Sequence, residues 1–274
     1  MTIFQSLILG VIQGVTEFLP ISSTGHLVLT PFLLGWNIPE DQAFVFDVLV
    51  QVATLVAVIA YFWQDLWSIG EAMLVGIWRK KPFKEPQSKL GWYIVLATIP
   101  AGLIGLLLNG TLEDIFGDPP VTAVFLLLTA LLLIIAERLG HRKRTLDKIN
   151  WIDAIAIGFF QIFALFPGIS RSGATITGAM SRDLQRPTAA RFSFLMSVPI
   201  LLAAGFLATL DLLKIPNLST ILPAFVPGFL ASAVVGYLSI RWLLRYLVHH
   251  SLYIFAIYCT ILSMISLAVY FIGQ

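Results

Sequence analysis

The chain has 274 residues, of which 58% are hydrophobic and 12% are charged, and its net charge is +2. Its mean hydropathy is +0.90. Soluble domains usually carry about 25% charged residues, so this composition excludes an ordinary soluble domain. The small net charge offers no general basic surface for nucleic acid. A single cysteine, Cys259, excludes both an intramolecular disulfide and a cysteine metal cluster.

Six apolar stretches have the roughly 17–25 residues that a helix needs to cross a bilayer. They are residues 43–63, 90–108, 121–136, 188–210, 220–244 and 252–272. Lys and Arg concentrate in the links 79–89, 138–148, 182–191 and 241–250. Cytoplasmic loops carry an excess of Lys and Arg, so these four links are predicted to be cytoplasmic. The loops 109–120 and 211–219 contain a single basic residue between them, Lys214, so they are predicted to be external.

The sequence also repeats itself at a constant offset of 148 residues, so that residues 10–50 match residues 158–198. The most informative identical pairs are Gly10/Gly158, Gln13/Gln161, Ser22/Ser170, Gly25/Gly173 and Pro39/Pro187. Three spans separate equivalent points, so the two halves should have opposite orientations in the membrane. We therefore predict one membrane domain over residues 1–274, with inverted repeats at 1–110 and 150–274. The alternative is a duplication kept only for packing.

Each half also contains an apolar segment, outside the six stretches, that a helix-breaking signal interrupts. Pro20 does so within residues 3–36, and Pro167-Gly168 does so within residues 151–184. With the polar stretch removed, the apolar pieces on either side are not long enough to form two independent spans. They are residues 3–19 and 27–36 in the first half, and 151–166 and 174–184 in the second. The predicted fold is therefore an all-α polytopic membrane protein with six transmembrane helices and two re-entrant helix hairpins, arranged as an inverted-topology repeat.

The first interruption reads Pro20-Ile-Ser-Ser-Thr-Gly-His26 and leads into a helix start, which is a favourable site for an anion. Upstream, Gln13 and Glu17 are four residues apart and share one helix face. A glutamate in an apolar helix is costly and marks a functional site by default. Each Ser, Thr or His taken singly could serve packing alone. The combination of a carboxylate, three hydroxyls, a glycine and a histidine within ten residues favours a ligand site.

The second interruption reads Gly168-Ile-Ser-Arg-Ser-Gly-Ala-Thr175 and contains the one basic residue that the predicted topology leaves at neither surface. The planar guanidinium of Arg171 suits bidentate binding of a phosphate. The alternative role for Arg171 is a structural salt bridge to Glu17. Together the two interruptions provide Glu17, His26, Arg171 and several hydroxyls, a set that suits phosphoryl transfer by positioning and charge neutralisation.

Three motifs, Gln13-x-x-x-Glu17, Pro20-x-Ser-Ser-Thr-Gly-His26 and Pro167-Gly-x-Ser-Arg-Ser-Gly173, resemble the signature of the bacterial undecaprenyl pyrophosphate phosphatase, or bacitracin-resistance, family. The resemblance covers nearly the whole chain. It implies hydrolysis of undecaprenyl diphosphate to the monophosphate at the outer face of the bacterial plasma membrane, which recycles the lipid carrier of peptidoglycan synthesis. It also implies a homodimer and a divalent cation, Mg²⁺ or Ca²⁺.

Carried over by position, the resemblance makes Glu17 the metal ligand, with Gln13 beside it to hold the cation and the diphosphate. Either Ser23 or His26 would be the nucleophile, the other its acid–base partner, and Arg171 would stabilise the charge on the transferred phosphoryl group. Phosphate oxygens are expected to be bound by Ser22, Thr24, Gly25, Ser170, Ser172, Gly173 and Thr175. The family has Glu or Gln at the first motif position, and Gln here leaves a single carboxylate. Mg²⁺ needs few protein ligands when a diphosphate supplies oxygens.

Two other functions compete with this interpretation. Inverted repeats with broken helices are typical of transporters, so a transporter or flippase for a phosphorylated polyprenyl lipid is the main alternative. Phosphate release by the purified protein discriminates between the two. Membrane phosphatases of the acid-phosphatase type have a Pro-Ser-Gly-His run that superficially resembles Ser23-Thr24-Gly25-His26, but they need a second histidine five residues beyond their Ser-Arg pair. Ile176 occupies that place here, which excludes this second family.

Overall fold

A computed structural model describes residues 1–113, 117–212, 214 and 218–273. Over these residues the protein is helical and forms no β-strand. The helices are α1 (Ile3–Thr16), α2 (Ser23–Leu34), α3 (Glu40–Tyr61), α4 (Trp63–Trp78), α5 (Pro86–Glu113), α6 (Pro119–Arg138), α7 (Trp151–Phe163), α8 (Arg171–Ser181), α9 (Arg186–Leu212), α10 (Leu218–His249) and α11 (Tyr253–Ile272).

Six of these helices are long and apolar enough to cross a membrane, namely α3, α5, α6, α9, α10 and α11. Each contains most of one predicted stretch, so the class of an all-α polytopic membrane protein is confirmed. Helix α4 is an addition to the predicted set and occupies the chain between α3 and the basic link. The predicted external loops 109–120 and 211–219 lie partly outside the described residues.

The two predicted hairpins are α1–α2 and α7–α8, but their second helices begin earlier than predicted. Helix α2 begins at Ser23 rather than at residue 27, and α8 begins at Arg171 rather than at residue 174. The reason is local, because a serine immediately before each helix caps its first turn. The polar residues that resemble a loop in the sequence therefore form the first turn of a helix.

Each hairpin packs against a long helix from the other half of the chain. Helix α1 packs along α10, and α7 packs along α5. A glycine makes each approach possible: a Cβ on Gly10 would collide with the backbone of Gly228, and a Cβ on Gly158 would collide with the carbonyl oxygen of Ala97. Small residues allow this close contact between membrane helices. The opposite orientation of the two halves stays a prediction.

The first helix of each hairpin also begins with the same type of cap. Thr2 and Gln5 form a capping box at the start of α1, and Asn150 and Asp153 form one at the start of α7. In a capping box each side chain binds the backbone N–H of the other residue, which satisfies two otherwise unpaired donors. The two boxes are again 148 residues apart, so the repeat extends beyond the part found by identity.

The cap of the second hairpin is further held by an ionic network. The buried carboxylate of Asp153 accepts hydrogen bonds from Arg144, at 2.6 Å to Nη2, and from Arg182, at 2.9 Å to Nε. The hydrogen bond to Asp153 raises the pKa of Arg144 above its usual value. A second buried carboxylate, Glu137 at the end of α6, is bound by both Nε and Nη2 of Arg186. These bonds fix the start of α7 and the ends of α6 and α8.

Candidate active site

The tips of the two hairpins are in contact with each other. A Cβ on Gly25 would lie 3.4 Å from the Cα of Gly168, so the backbones meet at van der Waals distance. The hydroxyl of Ser172 donates a hydrogen bond to the carbonyl oxygen of Leu19 at 3.1 Å. The two polar segments that the sequence places 148 residues apart therefore form one continuous polar region.

The second tip is attached to α6 near the middle of that helix. The hydroxyl of Thr129 donates to the carbonyl oxygen of Gly168 at 3.0 Å and accepts from the backbone N–H of Ser170 at 2.9 Å. Thr129 lies about halfway along α6, one of the candidate membrane spans. The polar tips therefore lie at the depth where non-helical backbone must be buried in protein or face a wet cavity.

A buried carboxylate is the centre of the cluster. Glu17, which is 7% exposed, follows the last residue of α1. Its Oε1 accepts a hydrogen bond from Nη2 of Arg171 at 2.8 Å. Its Oε2 accepts one from the Ser23 hydroxyl at 2.6 Å and one from the Gln13 amide at 3.1 Å. Four of the residues predicted for the site are thus joined through one side chain, and the salt bridge between Glu17 and Arg171 is present.

Two atoms of this cluster are buried without a hydrogen-bond partner among the described residues. They are Nη1 of Arg171 and Oε1 of Gln13. Buried polar atoms in folded proteins are nearly always paired, so each unpaired atom requires an explanation. The salt bridge uses one terminal nitrogen of the guanidinium and leaves the other for an additional acceptor. A phosphate oxygen is an acceptor of that kind.

The residue before α2 has an unusual backbone conformation. Ser22 has a φ of 70°, in a region that residues other than glycine occupy at a cost of about 1–3 kcal/mol. Its hydroxyl accepts from the backbone N–H of Gly25 at 3.2 Å, and its carbonyl oxygen is bound by the side chain of His26. Ser22 is buried, whereas the next residue, Ser23, is partly exposed and directs its hydroxyl to Glu17.

His26 is buried with both of its ring nitrogens bound. Nδ1 lies 2.7 Å from the carbonyl oxygen of Ser22, and Nε2 lies 2.7 Å from the hydroxyl of Tyr258 in α11. A carbonyl oxygen can only accept, so Nδ1 carries a proton, and in the neutral imidazole Nε2 accepts from the tyrosine hydroxyl. The two rings are nearly parallel, with 2° between their planes. His26 makes no hydrogen bond to Ser23.

Tyr258 is absent from the predicted site, because it lies in an apolar span 232 residues along the chain from His26. A tyrosine in such a span gives no local signal of a site. Thr129 and Ser193 are absent from the predicted site for the same reason. Their contacts arise only when α6 and α9 pack against the second hairpin.

Most of the other predicted substrate-binding hydroxyls are bonded inside the protein. Thr175 donates to the backbone of Arg171 at 2.8 Å and lies 2.6 Å from the hydroxyl of Ser193. The hydroxyls of Ser170 and Ser172 lie 3.1 Å apart. The partly exposed polar side chains are Ser23, Thr24 and Arg171, whereas the buried ones are Ser22, Ser170, Ser172 and Thr175. Contact with phosphate stays a prediction for Ser22, Thr24, Gly25, Ser170, Ser172, Gly173 and Thr175.

The cluster also contains oxygen ligands for a hard cation. No group of three His, Cys, Asp or Glu side chains that could hold a metal is found in the described ranges. Glu17 nevertheless provides a carboxylate, and the unpaired Oε1 of Gln13 is a second oxygen in the same cluster. This small donor set fits a cation that takes its remaining ligands from a diphosphate and water, as Mg²⁺ commonly does.

Residues 6–265 match the family model described as bacitracin resistance protein BacA. The undecaprenyl-diphosphatase of Thermomicrobium roseum is 40% identical to this chain over 281 aligned residues, which cover 98% of each protein. That of Moorella thermoacetica is 42% identical over the full length of both. That of Methanosphaera stadtmanae is 38% identical over 97% of each. With these full-length matches and the three motifs gathered around Glu17, the chain belongs to the bacitracin resistance protein BacA family.

Proposed function

We propose that this protein is an integral membrane phosphatase that hydrolyses undecaprenyl diphosphate to undecaprenyl phosphate and inorganic phosphate. Its relatives of the same length are named for that activity. The observation that carries the proposal is the buried cluster in which Glu17 binds both Ser23 and Arg171. Such a reaction would recycle the lipid carrier of peptidoglycan synthesis and would confer resistance to bacitracin. A transporter or flippase is not favoured, because these relatives are phosphatases by name.

In the proposed mechanism Ser23 is the nucleophile and Glu17 is its general base. The 2.6 Å hydrogen bond between them supports this pairing, since a base must be within hydrogen-bond reach of the proton it removes. His26 is the weaker candidate, because both of its ring nitrogens are bound elsewhere. The nucleophile is thus a serine that an adjacent base activates.

In the first step the Ser23 hydroxyl gives its proton to Glu17 while its oxygen bonds to the terminal phosphorus. The bond between that phosphorus and the bridging oxygen breaks, and undecaprenyl phosphate leaves with the bonding electron pair. In the second step water attacks the phosphoserine and displaces the Ser23 oxygen, which recovers its proton from Glu17. Both hydrogens of the water remain on the released phosphate, so atoms and charges balance.

Arg171 would stabilise the charge that develops on the transferred phosphoryl group. Its Nη2 holds Glu17, and its unpaired Nη1 would donate to a phosphoryl oxygen. An arginine that stabilises a transferred phosphoryl group contributes about 10³–10⁵-fold to the rate. His26 and Tyr258 would act as positioning residues, because they hold the carbonyl oxygen of Ser22 and with it the turn that presents Ser23.

The proposal includes a divalent cation, Mg²⁺ or Ca²⁺. Glu17 and Gln13 would hold it together with oxygens of the diphosphate. Bound there, the cation would offset the negative charge of the substrate. If chelation with EDTA leaves phosphate release unchanged, Glu17 is not a metal ligand; the expected result is a loss of activity that added Mg²⁺ restores.

The location and assembly of the protein are also proposals. Four links rich in Lys and Arg support a cytoplasmic position for one side of the protein, which would place the opening of the site on the external side of the plasma membrane. The family resemblance supports a homodimer. The matching capping boxes and glycine contacts of the two hairpins support an inverted repeat.

The decisive experiment measures phosphate release from undecaprenyl or farnesyl diphosphate by purified protein in detergent with Mg²⁺. Ser23→Ala and Glu17→Ala should be inactive, whereas Thr30→Ala, which alters a partly exposed hydroxyl further along α2, should retain most of the activity. His26→Ala should be slow but active, because histidine is assigned a positioning role. Absence of phosphate release by the wild type would overturn the enzymatic function, and an active Ser23→Ala would overturn the assignment of the nucleophile.

A further inference from the structure

The link between α4 and α5, together with the first turn of α5, contains a dense group of cations. Within residues 79–89 there are five of them and a single acidic residue, Glu85. The five side chains, all exposed, are those of Arg79, Lys80, Lys81, Lys84 and Lys89. None of them forms an ion pair within the described residues. By contrast, carboxylates pair with Arg142, Arg144, Lys148, Arg171, Arg182, Arg186 and Arg191.

This link has a defined shape because it is fastened to both of its neighbouring helices. The backbone N–H of Lys81 donates to the carbonyl oxygen of Gly76 in α4 at 2.8 Å. A Cβ on Gly76 would lie 3.1 Å from the Cα of Pro82, so the link folds directly over the last turn of α4. On the other side the hydroxyl of Ser88 in α5 donates to the carbonyl oxygen of Pro82. The positions of the cations are therefore set by the fold.

The folded link borders a partly open cavity of about 370 Å³. Its lining is formed by Val75, Gly76, Arg79, Lys81, Lys84 and Glu85. Three cations and one carboxylate give this lining a net positive charge. Like charges placed close together repel each other, and a bound anion relieves that repulsion. A phosphate group is an anion that clusters of Lys and Arg side chains commonly bind.

The surface next to the cavity is apolar and exposed. Trp78 is 83% exposed, Leu74 is 70%, Ile77 is 53% and Phe83 is 57%. Tryptophan is enriched where membrane proteins pass from the hydrocarbon to the headgroups, with basic residues on the cytoplasmic side of that boundary. The end of α4 thus presents an apolar surface beside a positively charged cavity, the two features that match the chains and the headgroup of an anionic lipid.

We propose that the cavity between the end of α4 and the start of α5 binds the headgroup of an anionic phospholipid. The phosphate lies among Arg79, Lys81 and Lys84, and the acyl chains lie against Leu74 and Trp78. A free phosphate ion would match the cations but would make no use of the apolar surface, so the lipid is the favoured source of the anion. This site shares no residue with the Glu17 cluster and does not depend on the proposed reaction.

The test compares two triple variants of the full-length protein that lose the same charge. Arg79→Gln/Lys81→Gln/Lys84→Gln removes the cations of the cavity. Lys143→Gln/Arg241→Gln/Arg245→Gln removes three exposed cations that also lack an ion pair among the described residues. Native mass spectrometry would measure the binding of phosphatidylglycerol and, separately, of phosphatidylcholine. Melting temperatures of both variants in detergent would verify that each is folded.

The expected result is a loss of phosphatidylglycerol affinity of about 100-fold in the cavity variant alone, since each of the three basic residues near an anionic membrane surface contributes about a factor of five. Trp78→Ala should also weaken binding of this lipid. Phosphatidylcholine should bind the wild type and both triple variants equally weakly. Equal losses in both triple variants, or none in either, would overturn the proposal. Displacement of phosphatidylglycerol by millimolar inorganic phosphate would identify a free-phosphate site and overturn the lipid assignment.

Discussion

The two hairpins share one structural plan but carry their charges in different places. At an offset of 148 residues they have the same caps and the same close-packed glycine, as the pairs Thr2/Asn150, Gly10/Gly158 and Ser22/Ser170 show. At the start of its first helix, the first hairpin has an exposed neutral capping box, whereas the second has Asp153 buried between two arginines. The features common to both hairpins are those that build a re-entrant helix pair.

The tips differ where the chemistry lies. The positions that are Glu17, Ser23 and His26 in the first hairpin are Leu165, Arg171 and Ala174 in the second. The first tip therefore has a carboxylate without a cation of its own, and the second has a guanidinium without a carboxylate. Contact between the tips brings Glu17 and Arg171 to 2.8 Å. Because neither tip has both charges, the two hairpins together form one site instead of two.

Removal of the cation that the second tip contributes should have the largest effect. Arg171→Ala is expected to lower turnover about 10³- to 10⁵-fold, as loss of an arginine does in other phosphoryl transfers. It also leaves the buried carboxylate of Glu17 without its cation, so a lower melting temperature is expected. The double variant Glu17→Gln/Arg171→Gln should recover stability without activity. Near-normal phosphate release by Arg171→Ala would limit this residue to a structural salt bridge.

The difference between the first turns of α1 and α7 predicts a large effect on stability. Asp153→Ala leaves the partly exposed side chains of Arg144 and Arg182 without their carboxylate and should cost about 1.5–3 kcal/mol, the usual range for hydrogen bonds to a charged group. The equivalent change in the first hairpin, Gln5→Ala, removes an exposed half of a capping box and should cost about 0.5 kcal/mol. Thermal unfolding of both variants in the same detergent measures this difference. Equal losses would show that the ionic network does not anchor the second hairpin.

A smaller effect on the rate should follow from the contact that fixes His26. Tyr258→Phe leaves Nε2 of His26 without its donor and should lower kcat about 10-fold with KM nearly unchanged, because a buried acceptor left without a partner costs about 1–3 kcal/mol. The ¹⁵N NMR signal of Nε2 should shift in this variant. Tyr270→Phe, on the same helix, should change neither quantity. An equal change in KM would indicate that Tyr258 contacts the substrate.

The sequence predicts the spans and the polar tips because hydropathy and helix-breaking residues act locally. It also predicts the meeting of Glu17 and Arg171, since opposite charges isolated in apolar sequence need a partner. It does not reveal Tyr258 or Ser193, whose partners depend on how distant helices pack. It misplaces the start of α2, because a run of Ser, Thr and Gly is equally compatible with a loop and with a capped first turn.

The same limit applies to helix α4, which the sequence leaves unpredicted. This segment mixes Trp, Leu and Ile with Asp65 and Glu71, so its apolar residues form neither a continuous stretch nor a polar break. Ile69 and Gly76 are buried because α4 packs against α5. A tertiary contact of this kind leaves no pattern in the segment itself. The basic cavity at the end of α4 therefore becomes visible only in the folded protein.

The difference between the hairpins with the smallest expected effect lies in two equivalent side-chain amides, those of Gln13 and Gln161. Gln13 donates to Glu17, whereas in Gln161, which is 1% exposed, neither amide atom has a hydrogen-bond partner among the described residues. Replacement of an unpaired buried amide by an apolar group of similar shape removes a penalty of about 1–3 kcal/mol. Gln161→Met is therefore expected to raise the melting temperature and to leave phosphate release unchanged.

Gln13→Met is the matched control for this substitution. It should lower activity without raising stability, because it removes the donor to Glu17 and an oxygen of the proposed cation site. Phosphate release and thermal unfolding of the two variants separate the outcomes. A loss of activity in Gln161→Met would mean that the second amide also serves the substrate. The unpaired amide would then belong to a functional second tip, and the two hairpins would share the chemistry more evenly than their charges indicate.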